Sequence, residues 1–264
     1  MPVLVHAAHR PVARTVARHL LAAGGQVRAT AADGVALLRA EGVFTAACDP
    51  DDEGVLEAAL TQVHTLVVLL GGLGRADVGA VRAEGLAAAR AADGAAVQRA
   101  VLVTLPQGRE PGDPLRRVHA EVADAFAALP LPSVEVRTGL LDTPATTDLL
   151  LAAGLPEPER STPVAPVDVG ALAALVVAID DARSRATGGH LVVAADGPDR
   201  RPLADHVADA TARTGGTGRL AGRRVPSEAD RSALLGTLAG PWWTDDADVP
   251  DAWSLFAVAP DPAG

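Results

Sequence analysis

The chain reads as an α/β protein: a doubly wound, mostly parallel, Rossmann-like sheet with a smaller carboxyl-terminal substrate or lid region. Three observations predict this. Short apolar runs alternate with segments of helical periodicity through the first half of the chain. The runs are continuous rather than alternating, as in strands covered on both faces. Of 264 residues, 48% are hydrophobic but only 2% aromatic, so the core must be Ala, Val and Leu packed between layers.

The elements follow in order. Val3–Val5 is a first strand, and from Pro11 the positions Val12, Val16, His19, Leu20 and Leu21 repeat at helical spacing until the Gly24-Gly25 stop. Gln26–Thr30 is a second strand, followed by a helix from about Asp33, a potential N-cap, to Ala40; Gly42 starts a third strand through Ala46. Asp49-Pro50-Asp51-Asp52-Glu53 supplies a turn, with carboxylates suited to the first turn of a helix ending near Leu60. Thr65–Leu70 is a buried strand, and Gly71-Gly72 directly after it mark the sheet's carboxyl edge.

An Ala-rich helix over 77–93 crosses back to a strand at Arg99–Thr104, a Pro/Gly loop over 106–114, a helix over 115–129 and a strand at Ser133–Arg137. Gly139 and Asp142–Pro144 open a less regular region, running through the Pro-rich 156–166 segment, that is expected to line a pocket. Asp168 caps an apolar helix through Ile179, and Gly188-Gly189 lead into a strand over 190–194. Helices over 203–214 and 227–238, a Trp242-Trp243 patch and a fraying Pro/Asp-rich end complete the chain. The division expected is a Rossmann-like unit over 1–143, with 144–264 interleaved into the same sheet.

A net charge of −10 opposes nucleic acid and anionic membrane, whose affinities rest on Lys and Arg. A small-molecule ligand is the expected partner. The chain has neither Lys nor Tyr, and its one cysteine, Cys48, cannot form an internal disulfide. With no secretory leader and no apolar run near the ~20 residues that span a bilayer, cytoplasmic residence is expected. The seven histidines lack metal-ligand spacing, so no metal site is expected. The tryptophans read as a core plug or a homodimer contact, or as a stacking lid for a flat ligand.

Leu4-Val5, Pro11-Val12, Arg14, Leu20–Gly24 and Val27–Ala29 resemble the opening of the NmrA-like, atypical short-chain dehydrogenase/reductase family. The similarity continues through Asp49, Leu69–Gly71, Val101–Thr104, Arg137–Leu141 and Val167–Val169, roughly residues 1–195. The resemblance implies an NAD(P)-binding Rossmann fold, with the cofactor near Ala7, Arg10, Val12, Asp33, Asp49, Leu70 and Gly71, and a ligand pocket near His6, His9, Arg137 and Gly139.

The departures matter as much. Against the family's Gly-x-x-Gly-x-x-Gly/Ala loop this chain sets Ala7, Arg10 and Ala13, so none is glycine. Ala7 must tolerate a tight turn, and Arg10 places a cation where a pyrophosphate sits. Its guanidinium binds an anion in place of backbone amides, fills the groove paired with an acid, or is simply exposed. Asp33 has the spacing of a ribose-binding acid, which fits NAD better than NADP, and equally of a helix cap. Asp49 resembles the family's adenine-side acid but doubles as a turn residue.

The family's Tyr-x-x-x-Lys couple is impossible here. Leu115 and His119 fall near its places, and Thr104 near the family's serine, so His119 and Thr104 are the catalytic candidates, each with an ordinary structural alternative. The expectation is therefore a protein that has lost normal NAD(P) binding and has no cofactor. Its cleft then serves another small ligand, as a cofactor-independent enzyme of secondary metabolism or a sensor. The alternatives are an NAD(P)H-dependent oxidoreductase of a small carbonyl or quinone-like substrate, and a regulatory interaction module.

Overall fold

The computed structural model describes residues 1–73, 77–107, 113–154, 156–182, 188–213, 227–238, 242, 248–258 and 260. Its centre is a seven-stranded sheet of β1 (Pro2–Val5), β2 (Gln26–Ala31), β3 (Phe44–Ala47), β4 (Thr65–Leu69), β5 (Arg99–Thr104), β6 (Ser133–Thr138) and, at one edge, the strand His190–Ala195. Three short strands precede that edge strand in sequence: β7 (Leu141–Asp142), β8 (Pro163–Val164) and β9 (Val167–Asp168); the edge strand is thus β10, and β11 (Arg201–Pro202) follows. The order is β10-β6-β5-β4-β1-β2-β3, and every pairing in this sheet is parallel. The expected Rossmann-like architecture is therefore the observed one.

Helices cover both faces, which is why the strands are continuously apolar. Val3, Val5, Val67, Val101, Val103, Val134 and Val136 face the layer of α1 (Pro11–Ala22) and α2 (Val35–Ala40). Leu4, Leu66, Val68, Ala100 and Leu102 face α3 (Glu53–Leu60), α4 (Gly79–Gly94) and α5 (Pro114–Ala127). Beyond β6 come α6 (Pro144–Ala153), α7 (Glu157–Arg160), α8 (Val169–Asp181), α9 (Leu203–Arg213), α10 (Glu228–Leu238) and α11 (Ala252–Phe256). Helices α8 and α11 join the α1 layer, whereas Leu140, Leu150, Val164, Leu203, Leu234, Leu238 and Trp242 form a separate cluster.

Asp168 caps α8 as expected, accepting from the Ala171 amide at 2.8 Å. Replacing it with alanine leaves that amide without its partner, and Asp168→Ala is expected to cost about 1 kcal/mol. A urea midpoint shift at constant slope would register this.

Three expectations need correction. Gly34, in the left-handed region at φ +64°, is the N-cap of α2, so Asp33 lies before the helix and does not cap it. The region after Asp142 is more regular than its prolines suggest: Thr143 caps α6 with Pro144 in the first turn, where a missing N–H costs nothing. The Pro/Asp-rich end contains α11, whose Trp253 is buried and donates from Nε1 to the Asp196 carbonyl at 2.7 Å. Of the readings open for the tryptophans, Trp242 is a core plug, buried within the chain, as expected; Trp243 lies outside the described residues.

Candidate active site

The chain runs β1-β2-β3 to one side of β1 and then returns to β4 on its other side, and this reversal opens a crevice at the carboxyl edge. A cavity of about 190 Å3 lies there, walled by Arg10–Ala13 at the start of α1, Leu69–Leu73 after β4, Val103–Leu105 after β5, and Thr138–Leu141 after β6. His119, Thr146 and Trp242 complete the wall. Apart from the Arg10 guanidinium, the side chains are apolar, hydroxyl or imidazole.

The loop after β1 folds without its glycines. Ala7 takes the left-handed turn itself, at φ +52°, a strained conformation for a residue with a Cβ. Thr30 secures it: its hydroxyl oxygen accepts from the Ala7 amide at 3.2 Å and lies 2.8 Å from His6 Nδ1. His6 Nε2 is 3.0 Å from the Pro50 carbonyl, so that nitrogen carries the hydrogen and Thr30 donates to Nδ1. Burial pushes the His6 pKa down to about 4, against the raising effect of the Pro50 bond. His6 therefore ties the ends of β1, β2 and β3 together and is absent from the cavity wall.

Arg10 makes an end-on pair with Glu84 of α4, Nη1 to Oε1 at 2.8 Å and Nη2 to Oε2 at 2.5 Å. The Glu84 side chain is 4% exposed and the Arg10 side chain 30%, so the guanidinium still reaches the crevice. Arg10 is thus paired with an acid and also lines the cavity. His9, outside the cavity wall, accepts from the Ala32 amide at 3.4 Å; burial and neighbouring Arg10 lower its pKa, against exposed Asp33.

His119 is in the wall, yet both its ring nitrogens are engaged. Nδ1 accepts from the Leu105 amide at 3.0 Å, which places the hydrogen on Nε2, 3.1 Å from the Gly71 carbonyl. Burial holds its pKa at about 4 despite that bond. The neutral ring thus joins the loops after β4 and β5. Thr104, also in the wall, donates to buried Glu135 at 2.9 Å. Arg137 turns to the same carboxylate, Nε to Oε1 at 3.1 Å, and is not in the wall. Burial alone would raise the Glu135 pKa, but bonds from His190, Arg137 and Thr104 outweigh it and hold the group below its ordinary value.

Of the remaining candidates, Val12, Leu70, Gly71 and Gly139 line the cavity, whereas Ala7, Asp33 and Asp49 do not. Asp33 follows β2 and Asp49 follows β3, both exposed. Sequence reasoning missed three residues. Glu84 has a legible signal, a carboxylate at helical spacing among Val81, Gly85 and Ala88; Glu135 sits within a Val-x-Val strand. Thr138 has none: its buried hydroxyl lies in the wall with no hydrogen-bond partner among the described residues. An unpaired buried hydroxyl is costly unless a ligand completes it.

No family model matches the chain, and no curated protein does. Solved structures match it end to end. Triphenylmethane reductase of Citrobacter sp., complexed with NADP(H), is 18% identical with TM-score 0.74, covering 99% of this chain and 97% of its own. The NADPH-dependent quinone oxidoreductase of Escherichia coli, complexed with NADPH, is 18% identical with TM-score 0.68, covering 98% and 96%. A nucleoside-diphosphate-sugar epimerase from Staphylococcus aureus is 12% identical with TM-score 0.74, covering 99% and 97%.

These likenesses correct one expectation drawn from the sequence, that the absence of the glycines leaves no cofactor. Two of the proteins that share the whole architecture hold a nicotinamide dinucleotide, and here the crevice persists, its turn carried by Ala7. The chain has the Rossmann-like fold that these structures share.

Proposed function

We propose that the protein is an NAD(P)H-dependent oxidoreductase of the NmrA-like kind, acting on a small quinone-like carbonyl compound. The observation that carries this is the apolar cavity at the β1/β4 reversal, with the amino end of α1 at one side and in its wall the Thr138 hydroxyl, which has no partner among the described residues. At about 190 Å3 it is below the roughly 300–1,000 Å3 of drug-sized sites, enough for a ring system rather than a whole dinucleotide. In this reading the remainder runs past Arg10 toward Asp33, just after β2.

The residues fit such a cofactor. Arg10 and the Val12 and Ala13 amides at the start of α1 suit a diphosphate, Leu70 and Gly71 its flank, Asp33 a ribose hydroxyl, and Asp49 the adenine side. When bound, the cofactor supplies hydride. Thr138 offers a hydroxyl to a carbonyl or carboxamide, and the apolar wall excludes water. Neutral His119, with both nitrogens engaged, offers no ready acid, and Thr104 is already committed to Glu135. A quinone-like acceptor suits that wall, because its reduced form is a resonance-stabilised oxyanion that needs no strong enzymic acid.

Fluorescence titration tests this. NADH is expected to bind in the micromolar range, more tightly than NADPH because the Asp33 carboxylate disfavours a 2′-phosphate. A simple benzoquinone is then expected to drive NADH oxidation. Absence of binding by both dinucleotides would sink the reading.

A further inference from the structure

We infer that Glu84 is a positioning residue that holds the Arg10 guanidinium as a diphosphate ligand, in place of the amides a glycine loop provides. This rests on the cofactor reading above. The loop after β1 has few amides to offer: the Arg10 amide is bonded to the Ala7 carbonyl, the Ala8 amide to the Thr30 carbonyl, and Pro11 has none. Among the described residues the His9 amide and the first amides of α1 remain, and that helix start has no side-chain cap. A guanidinium supplies what is missing.

Its geometry permits the substitution. Glu84 takes one N–H from each terminal nitrogen, end-on. A guanidinium has five N–H donors, so Nε–H and the second hydrogen on each Nη are left for an anion along its other edges. Arg10 therefore need not leave Glu84 to bind a phosphate. Release would be unfavourable, because it would take the bidentate cation away from a carboxylate that is 4% exposed. The guanidinium also packs beside Gly71, where an added Cβ would stand in ordinary contact 3.7 Å from Arg10 Nη1. Bidentate pairing also removes rotamer freedom that an unsupported arginine would lose on binding.

The test is calorimetric titration of the full chain with NADH and with ADP-ribose, which carries the diphosphate but no nicotinamide, at low and high salt. Arg10→Met is expected to weaken both ligands about tenfold or more and to flatten the salt dependence. Glu84→Gln is expected to weaken both by about threefold, with no further loss on the Arg10→Met background, since the two act as one unit. Thermal melts of each variant, together with Arg10→Lys, which keeps the charge without the fork and should fall between, separate ligand loss from misfolding. Unchanged or tighter binding by Arg10→Met would overturn the proposal, making the guanidinium a groove filler. So would equal losses from Glu84→Gln with and without Arg10, which assign Glu84 to helix packing alone. Binding of neither NADH nor NADPH by the wild type would instead remove the cofactor reading itself, and this proposal with it.

Discussion

Gly197→Ala is expected to lower the unfolding free energy by roughly 3 kcal/mol or more, and Gly139→Ala by a similar amount, at the upper end of what overpacking costs. The two glycines both approach the backbone of residues 165–166. A Cβ at Gly197 would sit 1.8 Å from the Pro166 carbonyl oxygen; one at Gly139 would sit 2.5 Å from the Trp242 oxygen and 2.9 Å from the Ala165 oxygen. All of these neighbours are backbone, so no rotamer change relieves the clash. The Gly197 amide also donates to the Ala165 carbonyl at 3.2 Å, a bond that any shift would stretch. For a chain of this size each kcal/mol corresponds to roughly 2–4 °C in Tm, so a fall of about 6 °C or more is expected. Gly188→Ala, where an added Cβ meets nothing within 4 Å, should change little and serves as the control. Equal Tm values for Gly188→Ala and Gly197→Ala would contradict the close approach. Gly139 also lines the cavity, so its variant should raise KM for any substrate that reaches Thr138.

These contacts show where sequence legibility ends. The β-α alternation was readable because strands covered on both faces stay apolar while helices repeat every 3.6 residues, and because Gly24, at φ +84°, has to follow α1. Helix α6 was hidden by the Pro density around it, although Thr143-Pro144 is itself a start signal. Asp33 was misplaced as a cap by one residue because Gly34 takes the left-handed turn. In the site, the sequence raised the question of Arg10 and marks Glu84 as a carboxylate on an apolar helix face, but could not join the two, which lie 74 positions apart and meet only when α4 packs beside the crevice. Glu135 is similar: on a strand, alternation of Ser133, Glu135 and Arg137 with valines reads as a solvated face. Its actual partners, Thr104 and His190, come from the strands on either side.

The other large effect is acid destabilisation. His6 and His119 are buried and neutral, each with its pKa lowered to about 4 from the 6.5 of an unfolded chain. Between those two values the unfolded state binds more protons than the folded one, so stability rises with pH across the interval and falls as pH drops through it. The stabilisation is complete above about pH 6.5 and is lost progressively toward pH 4. Each histidine contributes a slope approaching about 1.4 kcal/mol per pH unit, so the pair is expected to cost about 4 kcal/mol between pH 7.5 and pH 5. At roughly 2–4 °C per kcal/mol, Tm should fall by some 8–16 °C. His206, whose burial also lowers its pKa, acts in the same direction, whereas relief of the net charge of −10 on acidification acts in the opposite one. The histidines dominate because they sit inside the structure: His6 joins three strand ends and His119 joins the loops after β4 and β5, so protonating either breaks a bond to which its lone pair is committed. Melting curves from pH 7.5 to 5 decide the matter, a flat or rising Tm being the contrary result. His6→Gln should retain only about half the slope, which assigns the loss to these rings rather than to surface carboxylates.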